Sequence, residues 1–263
     1  NWSGKTKGSL SITSEFLNDG GKNIFIIGST PEIFIKELIY EYKFGYSNKQ
    51  LIAELRDLEK YNIKEYYTVY NKIKKNIKRK GYTFYGFETL FNRLFIFPQN
   101  YIRDNILTYE ILKELIADNT IIINNNLMDS LRGSLLVIDE FHNLYNSKDK
   151  NNYGITIKYI LDTLKDDIYC LFLSATIINN DPAEIIEVAS LIDYNFIPDK
   201  EKYFDISSKV SKPYPGTMKF LSKIFNGKVS YYDSKVRSLY PQKIFIGEKV
   251  PNIQFLKIIK CPM

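Results

Sequence analysis

The chain has 263 residues, 44% of them hydrophobic and 25% charged, with a formal net charge of +6. This composition excludes disordered and fibrous proteins and leaves room for one large or two small domains with a proper core. Two cysteines, Cys170 and Cys261, are too few for a disulfide framework, and no apolar run approaches the roughly 18 residues of a membrane span, so a reducing, non-membrane setting is expected.

The chain opens on Asn1-Trp2-Ser3-Gly4-Lys5-Thr6, without a Met or a charged-then-apolar targeting segment, and no secretion is expected. It closes on Lys260-Cys261-Pro262-Met263 directly after an apolar run. Both ends read as cuts within a longer protein, since domain boundaries are usually polar.

In chain order, Ser9 to Leu17 forms a helix opening at the glycine turn. Asn23 to Ile27 is a short apolar run that reads as a buried parallel strand, and Pro31 suits the first turn of a helix through Ile39. From about 44 to 80 the pattern is helical and polar and predicts a helical insertion. Asn48 or Ser47 caps a first helix carrying Leu51, Ile52, Leu55 and Leu58, and a second runs from Ile63 to about Lys78. Tyr82 to Tyr85 reads as a strand and Phe87 to Leu94 as a helix. Tyr109 to Ala117 is a further helix with Ile111, Leu112 and Leu115 inward.

The strongest strand is Ser134 to Ile138, ending in Asp139-Glu140. A helix near Ile157 to Leu164 follows, then a strand from Tyr169 to Leu173 ending in Ser174-Ala175-Thr176. Pro182 opens a helix holding Ile185, Ile186, Val188, Ala189 and Ile192. Short strands are expected at Val229 to Tyr232, Lys243 to Ile246 and Phe255 to Ile259. Strands alternating with helices predict an α/β fold with a central, mainly parallel sheet flanked by helices.

Open sheets of this kind place ligands at strand ends and helix starts, and the polar motifs fall there. Ser3-Gly4-Lys5-Thr6 matches the end of a P-loop whose opening glycine would lie two positions before Asn1. Such a turn offers backbone N–H groups to phosphate, Lys5 to the β/γ-phosphates and Thr6 to Mg²⁺. Taken alone, a Gly-Lys-Thr turn is common on surfaces. Asp139 and Glu140 follow a buried strand, where two adjacent carboxylates are costly unless they meet cations or water. In the functional reading Asp139 holds Mg²⁺, directly or through water, and Glu140 deprotonates the attacking water. His142 is the only histidine of the chain and can couple nucleotide to nucleic acid or to the third motif. In that motif, Ser174 and Thr176 can bond to the acidic pair, or simply end a strand in a polar turn.

Loops at Thr30-Pro31 and Tyr85-Gly86-Phe87 could touch a nucleic-acid backbone or merely connect elements. Lys72, Lys74, Lys75, Lys78, Arg79 and Lys80 lie on one predicted helix among Tyr67, Tyr70 and Tyr82. Such a run is either a solvated face or a source of salt-dependent phosphate contact.

The order Gly-Lys-Thr, then Leu-Val-Ile-Asp-Glu-Phe-His-Asn at 136–143, then Leu-Ser-Ala-Thr at 173–176 resembles superfamily 2 helicase-type ATPases. Asn143, the stretch Ile177 to Asn180 with Glu184-Ile185-Ile186, and Gly227 to Asp233 resemble the small subunit of the poxvirus-type early transcription factor and its relatives in large DNA viruses. Phe141 stands where that family commonly has Ala, Cys or Val, and Ile177 where many members have Pro.

The resemblance implies a RecA-like P-loop lobe over 1–200, truncated at its N-terminus, and an extension over 201–263 leading toward a second lobe whose arginines are absent here. It implies a nucleic-acid-dependent ATP hydrolase using ATP and Mg²⁺. Glu140, Lys5 and His142 would be catalytic. Ser3, Gly4, Lys5, Thr6, Asp139, Ser174 and Thr176 would bind nucleotide, and Thr6 and Asp139 the metal. Implied partners are a DNA or RNA backbone, a viral RNA polymerase and a larger transcription-factor subunit, in the virion or at cytoplasmic replication sites. Poor turnover is expected of this fragment alone. A transcript-release triphosphatase, a remodeller-like translocase and a non-catalytic DNA-binding scaffold are the alternatives.

Overall fold

The computed structural model describes residues 4–98, 107–145, 151–178, 180–193, 195–208 and 210–230. The strands expected at Lys243 to Ile246 and Phe255 to Ile259 lie outside these residues. Of Val229 to Tyr232 only Val229 and Ser230 lie inside, and neither is in a strand. The chain divides into two compact units, Asn1–Lys228 and Val229–Met263.

The first unit runs α1 (Lys5–Asn18), β1 (Ile24–Ile27), α2 (Glu32–Tyr40), α3 (Lys49–Tyr61), α4 (Ile63–Arg79), β2 (Tyr82–Tyr85), α5 (Phe87–Leu94), β3 (Phe95–Ile96), α6 (Tyr109–Ala117), β4 (Ile122–Ile123) and α7 (Asn125–Leu131). It continues through β5 (Ser134–Asp139), α8 (Tyr153–Leu164), β6 (Ile168–Leu173), α9 (Ile185–Ile192), α10 (Lys200–Tyr203), β7 (Phe204–Asp205), β8 (Lys212–Pro213) and α11 (Thr217–Phe225). The central sheet has the order β2-β1-β5-β6, and every pairing in it is parallel. This is the expected α/β architecture with helices on both faces, consistent with a RecA-like domain.

The alternation along the central strands explains the layers. In β1, Ile24 and Ile26 point to one face and Phe25 and Ile27 to the other, all buried. In β5, Leu135 and Val137 join the first face, and Leu136 and Ile138 the second. A strand covered on both sides needs apolar residues at every position, which is why both read as continuous runs. Each such side chain contributes roughly 1.5–3 kcal/mol on burial.

The first face is covered by Leu10 of α1, Phe34, Ile35, Leu38 and Ile39 of α2, Leu55 of α3, and Tyr66, Tyr70, Ile73 and Ile77 of α4. The segment expected as an insertion at 44–80 therefore forms one wall of the core. Asn48 caps α3 by accepting from the Leu51 N–H at 2.8 Å. Ser47 instead donates to the Ile39 carbonyl, tying the turn to α2. The second face is covered by α5, α7 and α8 together with Leu112 of α6. Ile111 departs from its expected inward position and is 43% exposed, because α6 buries only the stripe centred on Leu112.

Residues beyond α9 build a smaller cluster in which Phe204, Leu221 and Ile224 pack on Ala183, Ile186, Ala189 and Phe196. No helix of the described residues is long and apolar enough to cross a membrane.

Candidate nucleotide site

The ends of β1, β2, β5 and β6 emerge together because the four strands are parallel and in register, with Ile27 beside Tyr85 and Ile138, and Asp139 beside Leu173. Whatever follows each strand is therefore delivered to one edge of the sheet. After β5 come Asp139 and Glu140, after β6 Ser174, and the start of α1 reaches the same edge.

Gly4 precedes α1 with φ 66°, a left-handed conformation that glycine adopts without strain, and its carbonyl accepts from the Gly8 N–H at 2.8 Å. Lys5 is the first helical residue. Its Nζ donates to Glu140 Oε1 at 2.9 Å, with the two side chains 16% and 37% exposed. Thr6 is buried in the first turn. Ser3 lies outside the described residues.

Glu140 has φ 52°, a region that costs a non-glycine residue roughly 1–2 kcal/mol. At this residue the chain leaves the strand and enters a short 3₁₀ turn, Phe141–Tyr145. The turn is held by Asn143 N–H donating to the Glu140 carbonyl at 3.0 Å, and by Phe141, whose ring meets Phe172 of β6 edge-on at 5.6 Å. The bulky Phe141 thus serves as a buried anchor for the acidic turn.

Asp139 is half-buried and its carboxyl lies above the ordinary carboxylate range. Desolvation is the main cause, with repulsion from Glu140 second. The charge of Lys5, the Glu140 backbone N–H and His142 pull the other way. A carboxylate held this way gains strongly from a further cation. Gly28, just after β1, lies against it: a Cβ there would sit 3.2 Å from Asp139 Cβ and 3.4 Å from its carbonyl oxygen. Sequence reading passed over Gly28. The available signal was a glycine closing a fully apolar strand, a common mark of close backbone approach.

His142 Nδ1 lies 2.7 Å from Ser174 Oγ and 3.3 Å from Glu140 Oε2. Ser174 Oγ donates to the Thr176 carbonyl and accepts from the Thr176 N–H at 3.2 Å. The hydroxyl proton is therefore committed, so Nδ1 of His142 carries the proton toward Ser174, with Glu140 Oε2 nearby. Ser174 is thus connected to the acidic turn through His142, whereas Thr176 is exposed and, among the described residues, bonds only within its own turn.

Among the described residues no three His, Cys, Asp or Glu side chains cluster to hold a metal ion unaided. Thr6 and Asp139, the residues expected to hold a metal, are buried in the first turn of α1 and half-buried at the end of β5 respectively. Gly4 in the left-handed region ahead of α1, Lys5 at the acidic turn and Gly28 against Asp139 thus meet at one edge of the sheet.

The chain is similar to viral transcription proteins. "Early transcription factor large subunit homolog" proteins from African swine fever virus match it: one from a South African tick isolate is 24% identical over 320 positions, covering 100% of this chain and 28% of the relative. Another, from a Malawian tick isolate, is 24% identical over 323 positions, covering 100% and 29%. A protein of Acanthamoeba polyphaga mimivirus named "Putative ATP-dependent RNA helicase" is 32% identical over 139 positions, covering 51% of this chain and 11% of its own. The chain spans a little over a quarter of the length of the African swine fever virus relatives. These relatives are named for the large subunit, where the resemblance read from the motifs implied the small one. No family model matches the chain.

Of the other residues singled out, Pro31 and Gly86 stand at the starts of α2 and α5, beyond the ends of β1 and β2 and so at the same edge. The basic run on α4 is not a uniform face. Lys74 is half-buried and donates to both oxygens of Glu32 at 3.1 and 2.9 Å, while Lys72, Lys75, Lys78, Arg79 and Lys80 are exposed. Tyr70 and Tyr82 are core residues, leaving only Tyr67 with an exposed ring.

Proposed function

We propose that the chain is the nucleotide-binding lobe of a helicase-like, nucleic-acid-dependent ATPase acting in viral transcription. The observation that supports this reading most is the ion pair of Lys5 and Glu140, which joins the glycine turn to the acidic turn. In this reading Lys5 balances charge on the β/γ-phosphates, and Gly4 and the first amides of α1 donate to phosphate oxygens. Mg²⁺, when bound by Thr6 and Asp139, would neutralise charge building on the transferring phosphoryl group. Glu140 orients a water in line with the γ-phosphate and takes its proton. His142, bonded at Nδ1 to Ser174 and lying 3.3 Å from Glu140, connects the base to the loop after β6, and through it to nucleic acid bound at that edge.

The relatives' names support a transcription-factor subunit of the large kind. Its companion would then be a smaller subunit, together with a viral RNA polymerase, at cytoplasmic replication sites or in the virion. The mimivirus relative's name favours a second reading in which RNA is the stimulating strand.

The test is phosphate release by the full-length protein with and without DNA and RNA, with Glu140→Gln as the control. Release stimulated by nucleic acid and abolished by Glu140→Gln is expected. Equal release by the two proteins would leave the scaffold alternative.

A further inference from the structure

A large concavity among the described residues lies away from the site just described. It has a volume of about 1090 Å³ and opens where the strands begin, bounded by the end of α1, the segment Gly21–Asn23 before β1, the turn Lys43–Tyr46, and the end of α4 with Gly81 before β2. Lys5 and Glu140 stand at the opposite edge of the same sheet.

Four cations line this groove, Lys22, Lys43, Arg79 and Lys80, against one acid, Glu15. All four are exposed. The ion pairs of the described residues engage Lys5, Lys7, Lys74, Arg132, Lys158 and Lys200, and none of these four. The contrast with Lys74, one turn back on α4 and neutralised by Glu32, is informative. One cation of the helix is committed to the fold, while Arg79 and Lys80 at the groove, like Lys72, Lys75 and Lys78 away from it, make no ion pair among the described residues.

Two helix C-termini, of α1 and α4, end at this groove, and basic residues near such ends offset the helix dipole. That effect needs about one cation per terminus and accounts for two of the four. Lys22 and Lys43 belong to neither helix. Small-molecule pockets are mostly apolar and seldom exceed roughly 1,000 Å³. A groove of this size, basic and lined by Asn and Ser side chains, suits an extended polyanion.

We infer that this groove binds the phosphate backbone of a single-stranded nucleic-acid segment, as a second contact surface separate from the strand-end site. Charge attraction with little sequence reading is the expected mode, with each phosphate contact releasing counterions. The inference does not depend on the nucleotide reading.

The test uses the full chain without nucleotide. Binding of a fluorescently labelled single-stranded oligonucleotide is followed by anisotropy over a salt series. The variant Lys22→Gln/Arg79→Gln/Lys80→Gln is expected to bind more weakly and to lower the slope of log affinity against log salt by about 2, since each single-strand contact contributes roughly 0.7. Lys43→Glu, a single reversal at an exposed position, is expected to weaken binding in the same sense. Lys219→Gln/Lys223→Gln/Lys228→Gln, removing three exposed charges on and after α11, is expected to leave the slope unchanged. An unchanged slope in the groove variant, an equal fall in the α11 variant, or displacement of the oligonucleotide by polyglutamate at equal charge would overturn the inference.

Discussion

Lys5 and Glu140 are 135 residues apart in sequence and 2.9 Å apart in space. The contact joins the first turn of α1 to the residue that closes β5, and Glu140 holds a left-handed backbone to make it. Strain at a polar strand end, kept by a partly buried ion pair, is the kind of local cost that folds retain for function.

Glu140→Gln is expected to lower phosphate release by about 10²–10⁴, the usual contribution of a positioned base, while nucleotide binding persists. Lys5→Ala is expected to weaken nucleotide binding itself. Phosphate-release kinetics together with calorimetric titration of ATP separate the two outcomes.

Gly28→Ala probes the approach of β1 to Asp139. The added methyl would meet Asp139 Cβ at 3.2 Å, so the carboxylate must move by a few tenths of an ångström. A several-fold fall in turnover is expected, because small misplacements are costly at reacting centres. Thermal unfolding should change little. A large loss of stability with normal turnover per folded molecule would contradict this.

His142→Ala and Ser174→Ala are expected to reduce stimulation by nucleic acid more than the basal rate, because the 2.7 Å contact connects two strand-end loops. The double variant should cost less than the sum of the singles, with a coupling of about 0.5–3 kcal/mol. Strict additivity would show that the contact transmits nothing.

Leu55→Ala and Ile77→Ala test whether α3 and α4 belong to the core. Both side chains are fully buried on the sheet's first face. Each substitution is expected to cost about 2–5 kcal/mol in denaturant unfolding. Losses below about 0.5 kcal/mol would instead mark the pair as a detachable module.

Glu32 yields a pH prediction. Burial pushes its carboxyl up, but hydrogen bonds from Lys74 and Tyr70 and the charges of Lys74 and Lys36 outweigh this, and the net value lies below the ordinary 4.5. A carboxyl lowered on folding contributes stability that is full above its unfolded value and is lost as pH falls through its folded value. Lys74→Met should therefore destabilise near neutral pH, by less than about 1 kcal/mol for so exposed a pair. It should also flatten the loss of stability measured below about pH 4.5. An unchanged acid limb would remove Glu32 from the account.

The amino-acid sequence by itself determined the α/β class, the course of the central strands and the location of polar motifs at their ends. The reason is local: apolar runs such as Ile24–Ile27 and Leu135–Ile138 satisfy a strand buried on both faces, and residues directly following them have few other places to go. Asn48 as a cap and Phe87–Leu94 as a helix were legible on the same local grounds. Tertiary structure alone decided the rest. That α3 and α4 wall the core depends on which side of the sheet the connection between β1 and β2 crosses, and a polar helix with one apolar stripe does not reveal this. That Lys74 is spent on Glu32 while Lys22 and Lys43 join Arg79 and Lys80 around one groove depends on distances between separate elements. The closeness of Gly28 to Asp139, and of Lys5 to Glu140, arises from the sheet order and register. Periodicity records which face a residue takes, whereas neighbours across strands are set only when the sheet assembles.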